Sequence, residues 1–153
     1  MKIVHIVGRS NTGKTTFIKQ VIPELERKGR VAVVKHLRDH RYNLQKGKDT
    51  TEFFDSGATI SIGIDHEKSV AAIRTTALDD ILQFLFLEGI EYTIIEGFKT
   101  RQFPKIVIGD LPAENTVLSN PTVKDVLSSL DRFEDYTPGI KSGKSHKKRG
   151  TTR

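Results

Sequence analysis

The chain has 153 residues, of which 36% are hydrophobic and 29% are charged, a composition typical of one folded domain. It contains no cysteine, which excludes disulfides, thiolate metal sites and cysteine nucleophiles. The first apolar run, residues 3–7, is too short and too polar for a signal peptide. No window approaches the roughly 18 apolar residues that a membrane span needs. We therefore expect a soluble, cytoplasmic protein without a membrane segment.

The formal charge of +6 comes from one end of the chain. Residues 137–153 contain six Lys and Arg and no acid, whereas residues 1–136 contain 19 Lys and Arg against 19 Asp and Glu. We expect two regions, a neutral folded domain over 1–136 and a basic, disordered tail over 137–153. The balance of charge predicts no nucleic-acid binding by the folded domain. A solubilising role for the tail is favoured over contact with RNA.

The first predicted elements are a strand, a helix and a second strand. Residues 2–7 (KIVHIV) form the first strand, and residues 30–36 (RVAVVKH) form the second. Between them, a helix over 12–29 ends at Gly29, and Pro23 predicts a kink within it. The apolar face of this helix carries Phe17, Ile18, Val21, Ile22 and Leu25.

The central part of the chain predicts a short helix and a strand pair. Residues 49–52 (DTTE) resemble a capping box that opens a helix to about Ser56. Residues 58–64 and 69–75 are apolar runs joined by a polar turn, which predicts two antiparallel strands.

The remaining pattern alternates strands with helices. Two helices are predicted, over residues 78–89 and 122–133, and three strands, over residues 91–98, 104–109 and 115–119. Such alternation is typical of the α/β class, here a three-layer α/β/α domain with a mostly parallel sheet and one antiparallel strand pair.

A phosphate-binding loop follows the first strand. Residues 8–15 (GRSNTGKT) match G-x-x-x-x-G-K-[ST], between an apolar strand and an amphipathic helix. Glycines let the backbone N–H groups of such a loop point at phosphate oxygens, and the helix adds its positive N-terminal end. Lys14 is predicted to bridge the β- and γ-phosphates, and the Thr15 hydroxyl to bind Mg²⁺. The motif therefore predicts a P-loop NTPase-like nucleotide site.

A carboxylate for the magnesium shell is expected at the end of another strand. Glu96 follows a buried run and precedes a glycine, and it is a better candidate than Asp55 or Asp110. The Asn-Lys-x-Asp motif of guanine-specific GTPases is absent from the sequence. Asn120 follows the last strand, where a base could reach it, although a capping role is equally consistent. These residues leave the choice between guanine and adenine open.

The exit of the second strand, VKHLRDHRYNLQKGKDT (34–50), is densely charged. If this strand runs parallel to the P-loop strand, its carboxyl end opens beside the phosphates. Lys35 would then counter anionic charge, His36 and His40 could donate hydrogen bonds, and Asp49 could hold Mg²⁺ or its water. The alternative is a solvated connection, with Asp49 serving as a helix cap.

Several segments together resemble the molybdopterin-guanine dinucleotide biosynthesis adapter (MobB) family. In chain order they are GRSNTGKTT (8–16), VVKH (33–36), GKDT (47–50), SGA (56–58), IIEGFK (94–99) and PKIVI (104–108). The resemblance covers roughly residues 1–120. It is carried by the joint presence of GKDT and EGFK, because a P-loop alone occurs in many unrelated proteins.

The resemblance implies a GTP-binding accessory protein with weak GTPase activity at most, with GTP and Mg²⁺ as cofactors. It implies a homodimer that works with the guanylyltransferase joining GMP to molybdopterin, in molybdenum (or tungsten) cofactor biosynthesis. The implied nucleotide-binding residues are Gly8, Arg9, Ser10, Asn11, Thr12, Gly13, Lys14, Thr15, Thr16, Lys35, His36, Lys48, Phe98 and Lys99, with Asn120 as a candidate from the last strand. The implied metal ligands are Thr15, Asp49 and Glu96.

Two features depart from the family pattern. The loop at 37–44 is more basic than its counterparts, and the cationic tail has no equivalent. The alternative functions are a P-loop small-molecule kinase, for which only the loop at 38–41 and Arg101 offer arginines for a lid, and a P-loop scaffold whose tail binds RNA. Arg9 is a candidate for reaching the phosphates of a neighbouring subunit. The catalytic residue is not identified by the sequence.

Overall fold

The computed structural model describes residues 1–37 and 42–139. Its main sheet has five strands in the order β2-β5-β1-β6-β7, and every neighbouring pair is parallel. A second sheet consists of the antiparallel pair β3-β4. The strands are β1 (Lys2–Gly8), β2 (Val31–Lys35), β3 (Ile60–Ile64), β4 (Ser69–Ile73), β5 (Tyr92–Glu96), β6 (Lys105–Ile108) and β7 (Thr116–Ser119).

Helices cover both faces of the parallel sheet and give the three-layer α/β/α arrangement. They are α1 (Lys14–Glu26), α2 (Asp49–Asp55), α3 (Leu78–Leu87) and α4 (Val123–Ser128), with a 3₁₀ turn at Leu130–Arg132. On one face, Leu25 of α1 and Val126 of α4 pack on Ile6. On the other face, Leu82 of α3 packs on Ile95. Burial on both faces explains why β1, β5 and β6 are nearly continuous apolar runs.

The predicted fold class and all seven strands are confirmed, with boundaries that differ by one or two residues. α1 continues through Pro23. The capping-box prediction at Asp49 was wrong: the N-cap of α2 is Lys48, in an extended conformation and without a side-chain cap bond, and Asp49 is the first helical residue. The helix predicted over 122–133 is shorter, because α4 ends before Ser129 and a 3₁₀ turn follows.

Two parts of the sequence analysis fall outside the described residues. The basic tail from residue 140 onward is one of them, and the loop at 38–41 with His40 is the other. Within the described part of the chain, no helix is long and apolar enough to cross a membrane.

The β3-β4 hairpin is separate from the main sheet and has one apolar face in solvent. One face packs on α2, where the Ser61 hydroxyl donates to the carbonyl oxygen of Thr50 at 2.7 Å. The opposite face carries three isoleucines at alternate positions, Ile60, Ile62 and Ile64, which are 51, 55 and 79% exposed. An isolated two-stranded hairpin is only marginally stable in water, and the three isoleucines of this one stay exposed.

Candidate functional site

The P-loop lies between the end of β1 and the start of α1. Asn11 and Gly13 have positive φ angles of 61° and 86°, and this left-handed backbone turns the loop into the first turn of α1. The Thr12 hydroxyl donates to the carbonyl oxygen of Arg9 at 3.0 Å, and the Lys14 ammonium donates to the same oxygen. The ammonium of Lys14 is therefore folded back over the loop, above the N-terminal end of α1.

Close packing requires a glycine at the start of this loop. A Cβ on Gly8 would collide with the backbone carbonyl oxygen of Ile108 in β6. The neighbouring wall is held by Asn120, whose side-chain oxygen accepts a 2.7 Å hydrogen bond from the Gly109 N–H. Asn120 itself has a positive φ of 46°. Asn120 thus connects the ends of β6 and β7 next to the P-loop.

The parallel register of the strands brings a carboxylate and an ammonium group together beside the P-loop. β5 lies between β1 and β2, so Glu96 is aligned with Ile6 on one side and Lys35 on the other. The Lys35 ammonium lies 3.2 Å from the Glu96 carboxylate, which is almost buried, whereas the lysine side chain is 49% exposed. The His36 N–H also donates to the backbone carbonyl of Glu96 at 2.9 Å.

These elements enclose a cavity of about 630 Å³ at the carboxyl edge of the sheet. Three segments contribute to it: the P-loop, the exit of β2 and the end of β5. The lining residues are Ser10, Asn11, Thr12, Gly13, Lys14, Thr15, Thr16, Lys35, His36, Leu37 and Glu96. The volume lies in the range of small-molecule sites, and this edge is where ligands bind in open α/β sheets.

The segment after Glu96 is tightly constrained. Gly97 has a φ of 95°, and a Cβ there would lie 2.8 Å from the Cβ of His36. Phe98 also has a positive φ, 46°, which is rare for a side chain of this size. Its ring stacks on His36, with ring centroids 4.4 Å apart and planes 16° from parallel. The stack closes one end of the cavity wall.

A buried histidine in β1 supports this segment from below. His5 is fully buried, and its Nε2 lies 2.6 Å from the carbonyl oxygen of Gly97. Because a carbonyl only accepts, Nε2 carries the proton and donates. Its Nδ1 has no hydrogen-bond partner among the described residues. Burial lowers the pKa of His5 to about 4, so the ring is neutral at pH 7.

Sequence reasoning missed two contributors to the site, Leu37 and His5. Leu37 lies in a charged stretch, and only its position in space places it in the cavity wall. His5 does carry a local signal, because a histidine inside an otherwise apolar strand needs a buried hydrogen-bond partner.

Several predicted site residues lie elsewhere than in the cavity wall. Arg9, Lys48, Asp49 and Asn120 are exposed, and none of them is among the lining residues. Gly8 supports the loop from β1, and Phe98 contacts the cavity through His36. Lys99 lines a different cavity, described below. Their predicted contacts with a nucleotide stay predictions.

Arg101 is also committed elsewhere. Its guanidinium pairs with the Asp79 carboxylate at 2.5 Å, on the first turn of α3. The hydrogen bonds that Arg101 donates to Asp79 raise the pKa of this arginine above its ordinary value. Arg101 is therefore engaged with α3 rather than placed over the P-loop, where a kinase lid would need it.

The donor set beside the P-loop fits Mg²⁺ better than a metal bound by the protein alone. The described residues contain no group of three or more His, Cys, Asp or Glu side chains that could hold a metal ion. Mg²⁺ in nucleotide sites usually takes one or two protein oxygens, together with waters and phosphate oxygens. The Thr15 hydroxyl and the Glu96 carboxylate, both in the cavity wall, supply such oxygens.

The comparison with protein families agrees with this geometry. Residues 3–128 match the family described as Molybdopterin guanine dinucleotide synthesis protein B, or MobB. The chain belongs to the MobB family. A curated relative from Methanocaldococcus jannaschii is 32% identical over 144 residues, which cover 85% of this chain and 61% of the relative. The Molybdopterin-guanine dinucleotide biosynthesis adapter protein of Haemophilus influenzae is 31% identical over 110 residues, which cover 69% and 62% of the two chains.

Solved MobB structures share the fold. The crystal structure of Bacillus subtilis MobB has a TM-score of 0.69 to this chain at 21% identity, and the match covers 89% of this chain and all of that one. At that identity the likeness bears on the fold alone. This MobB-family chain spans about three fifths of the length of the curated relatives it matches.

The buried His5 makes the stability of this MobB-family protein depend on pH. Its pKa is about 4 in the folded state and 6.5 ordinarily, so between these values the unfolded chain binds a proton that the folded chain does not. The contribution of the neutral His5 ring to the free energy of unfolding is fully present above pH 6.5. It is lost as the pH drops towards 4, and the total loss is about 3 kcal/mol. His5→Gln keeps an N–H donor and removes the titration. We expect the loss of free energy of unfolding between pH 7 and pH 5 to be about 2 kcal/mol smaller in the variant.

Urea unfolding at the two pH values measures this difference. Each protein is compared with itself, so the cost of the substitution at pH 7 cancels. An equal loss in wild type and His5→Gln would show that His5 does not control the pH dependence.

Proposed function

We propose that this protein is a GTP-binding adapter in molybdenum (or tungsten) cofactor biosynthesis, which assists the attachment of GMP to molybdopterin. The observation that carries the proposal is the P-loop cavity with the Lys35–Glu96 pair on its far wall, in a chain of the MobB family. Relatives from Haemophilus influenzae and Escherichia coli bear the name Molybdopterin-guanine dinucleotide biosynthesis adapter protein.

The charges of the cavity suit a nucleotide polyphosphate. Lys14 and Lys35 line it from opposite sides, and backbone N–H groups at the N-terminal end of α1 face the same space. When phosphates are bound, Lys14 would exchange the carbonyl of Arg9 for the β- and γ-phosphate oxygens. Thr15 and Glu96 would hold Mg²⁺, which would neutralise phosphate charge. GTP rather than ATP is proposed from the family alone.

The same site supports slow hydrolysis at most. Among the lining residues that the structure describes, Glu96 is the one carboxylate, and it is paired with Lys35 at 3.2 Å. A carboxylate that is held by an ion pair, and that is also proposed as a Mg²⁺ ligand, is poorly placed to take a proton from an attacking water. We propose that a partner or a second subunit completes the site when turnover is needed.

Nucleotide titration of Lys14→Ala tests the proposed site. Loss of a charged hydrogen bond to phosphate should weaken GTP binding about 10- to 100-fold. Lys19→Ala is the matched control, because Lys19 is exposed on the same helix and should leave the affinity unchanged. Calorimetry with GTP and ATP, in the presence of Mg²⁺, gives both affinities.

Two outcomes of that titration would contradict the proposal. Equal affinity of wild type and Lys14→Ala would remove the P-loop from binding, and equal affinity for GTP and ATP would remove the guanine preference. Phosphate release by wild type should be slow. Rapid GTP hydrolysis by the isolated protein would contradict the proposal that a partner or a second subunit completes the site.

We further propose that the protein is a homodimer joined through the β3-β4 hairpins. The exposed strip of Ile60, Ile62 and Ile64 is apolar and self-complementary. The register places Ile73 and Ala71 of β4 on the same face, opposite Ile60 and Ile62. Covering this face with the same face of a second copy would give each hairpin the packing that two strands lack alone.

Ile62→Asp places a charge at the centre of this face and should convert the dimer to a monomer. Leu87→Asp is the control, because Leu87 is 72% exposed at the end of α3, away from the hairpin. Light scattering coupled to size-exclusion chromatography measures the mass. A mass that is the same for wild type and Ile62→Asp, with Leu87→Asp also unchanged, would place any dimer contact elsewhere.

The proposed partner is the guanylyltransferase that joins GMP to molybdopterin. We expect purified guanylyltransferase and this protein to co-elute at about ten micromolar, and to do so more strongly with GTP and Mg²⁺ present. Lys14→Ala should retain the nucleotide-independent part of the complex. Separate elution under both conditions would contradict the adapter role.

A further inference from the structure

A second cavity, distinct from the P-loop cavity, lies under the segment that connects β5 to β6. Its volume is about 300 Å³, and it shares no lining residue with the P-loop cavity. Two loops form its walls, one after β5 and one between β6 and β7. Its wall includes Lys99, Thr100, Lys105 and Glu114.

The cavity contains a buried cation. Lys105 is the first residue of β6 and is only 1% exposed. Its ammonium donates to the backbone carbonyl of Glu114 at 3.1 Å. Burial lowers the pKa of this lysine below its ordinary value, and the charge of Glu114 opposes the shift in part. No ion pair of Lys105 at 4 Å or less occurs within the described ranges 1–37 and 42–139.

Such a lysine is costly unless a ligand or a function compensates it. An ammonium removed from water needs a charged or hydrogen-bonding partner, and one carbonyl satisfies one of its three N–H donors. The side chain begins inside the sheet, where Lys105 is aligned with His5 of β1. A methionine or leucine would fill that position without the cost of burying a charge.

Fixed geometry at the rim indicates a formed cavity. The Asn115 side chain donates to both the backbone and the side-chain oxygen of Gln102, at 2.9 and 3.0 Å. The Lys105 N–H donates to the carbonyl oxygen of Asn115 at 2.8 Å. These bonds tie the loop after β5 and the start of β6 to the loop before β7.

We infer that this cavity is a second anion site, in which the Lys105 ammonium, assisted by Lys99 and the Thr100 hydroxyl, binds the phosphate group of a small phosphate monoester. A phosphate dianion would supply the buried ammonium with the charge and the hydrogen-bond acceptors it lacks. The volume accommodates a phosphate and a few further atoms, but it is about half that of the P-loop cavity. The Glu114 carboxylate, in the same wall, would compete with the ligand for the ammonium.

The site is adjacent to the nucleotide cavity through the chain. Lys99 follows Phe98, which stacks on His36 in the wall of the P-loop cavity. A phosphate-bearing molecule held here would lie one segment away from the proposed nucleotide. The inference goes beyond the proposed function, because a second anion site stands whether or not GTP occupies the first.

The test uses the full chain with Lys14→Ala as background, so that the P-loop contributes little anion binding. Inorganic phosphate and glycerol 2-phosphate are titrated separately by calorimetry, with Lys105→Met, Lys99→Met and Glu114→Gln added to that background. We expect Lys105→Met to weaken phosphate binding about tenfold or more, and Lys99→Met to weaken it less. Glu114→Gln should strengthen it severalfold, because the competing charge is gone. Lys124→Met, on the exposed surface of α4, should change nothing.

The two probes distinguish the source of the phosphate. Tighter binding of glycerol 2-phosphate than of inorganic phosphate supports a monoester ligand, whereas binding of inorganic phosphate alone overturns that part of the inference. Absence of saturable binding of either probe in the background protein overturns the site itself. A purely structural Lys105 would predict no effect of Glu114→Gln on anion affinity, and that result also overturns it.

A direct measurement covers the case in which Lys105→Met does not fold. The pKa of the Lys105 ammonium is followed by NMR of its Cε in the Lys14→Ala protein, with and without glycerol 2-phosphate. Bound phosphate should raise that pKa, since a neighbouring dianion favours the charged amine. An unchanged pKa at saturating probe would contradict the assignment.

Discussion

The position of β5 between β1 and β2 is the constraint on which the rest of the site depends. Because the three strands are parallel and in register, Glu96 ends beside Ile6 and Lys35 in the same row of the sheet. Main-chain hydrogen bonds fix this row, so the acid and the base reach 3.2 Å without a large loop having to order them. The P-loop leaves β1 at Gly8, two residues beyond that row, and its residues line the same cavity as the Glu96 carboxylate.

The segment after β5 contacts both cavities of the molecule. After Glu96, two residues with positive φ angles turn the chain over β1 towards β6. His5 holds the turn through the carbonyl of Gly97, and Phe98 stacks on His36. One short segment therefore touches the P-loop cavity at its start and the second cavity, at Lys99, a few residues later. Only residues 97 and 98 separate Glu96, which lines the P-loop cavity, from Lys99, which lines the second cavity.

Two buried polar side chains lie in the face of the sheet that this segment covers. His5 and Lys105 are aligned in neighbouring strands, and both are almost fully removed from water. Burial of such groups costs free energy, and each has a lowered pKa for that reason. His5 offsets its cost by a structural hydrogen bond to Gly97. Lys105 donates one bond, to the carbonyl oxygen of Glu114, and the phosphate proposed for its cavity would accept from the other N–H groups of its ammonium.

The β3-β4 hairpin is a separate sheet from the parallel one that carries the P-loop. It adds no strand to the main sheet, and its apolar strip of isoleucines faces solvent. None of the described lining residues of the P-loop cavity comes from the hairpin. In the proposed dimer a second copy would cover the apolar face of the hairpin, apart from the parallel sheet and its cavity.

The sequence by itself determined the α/β class, the seven strands and the P-loop, because each depends on local periodicity or on one contiguous motif. It also placed Glu96, since a carboxylate after a buried run is visible in the chain. The capping prediction at Asp49 failed because Lys48 and Asp49 differ by one position, which local propensity resolves poorly. Only the tertiary structure decided that Lys35 pairs with Glu96, that Leu37 lines the P-loop cavity and that Lys99 and Lys105 line one second cavity. Those contacts depend on strand order and register, which join residues far apart in sequence and leave no local trace.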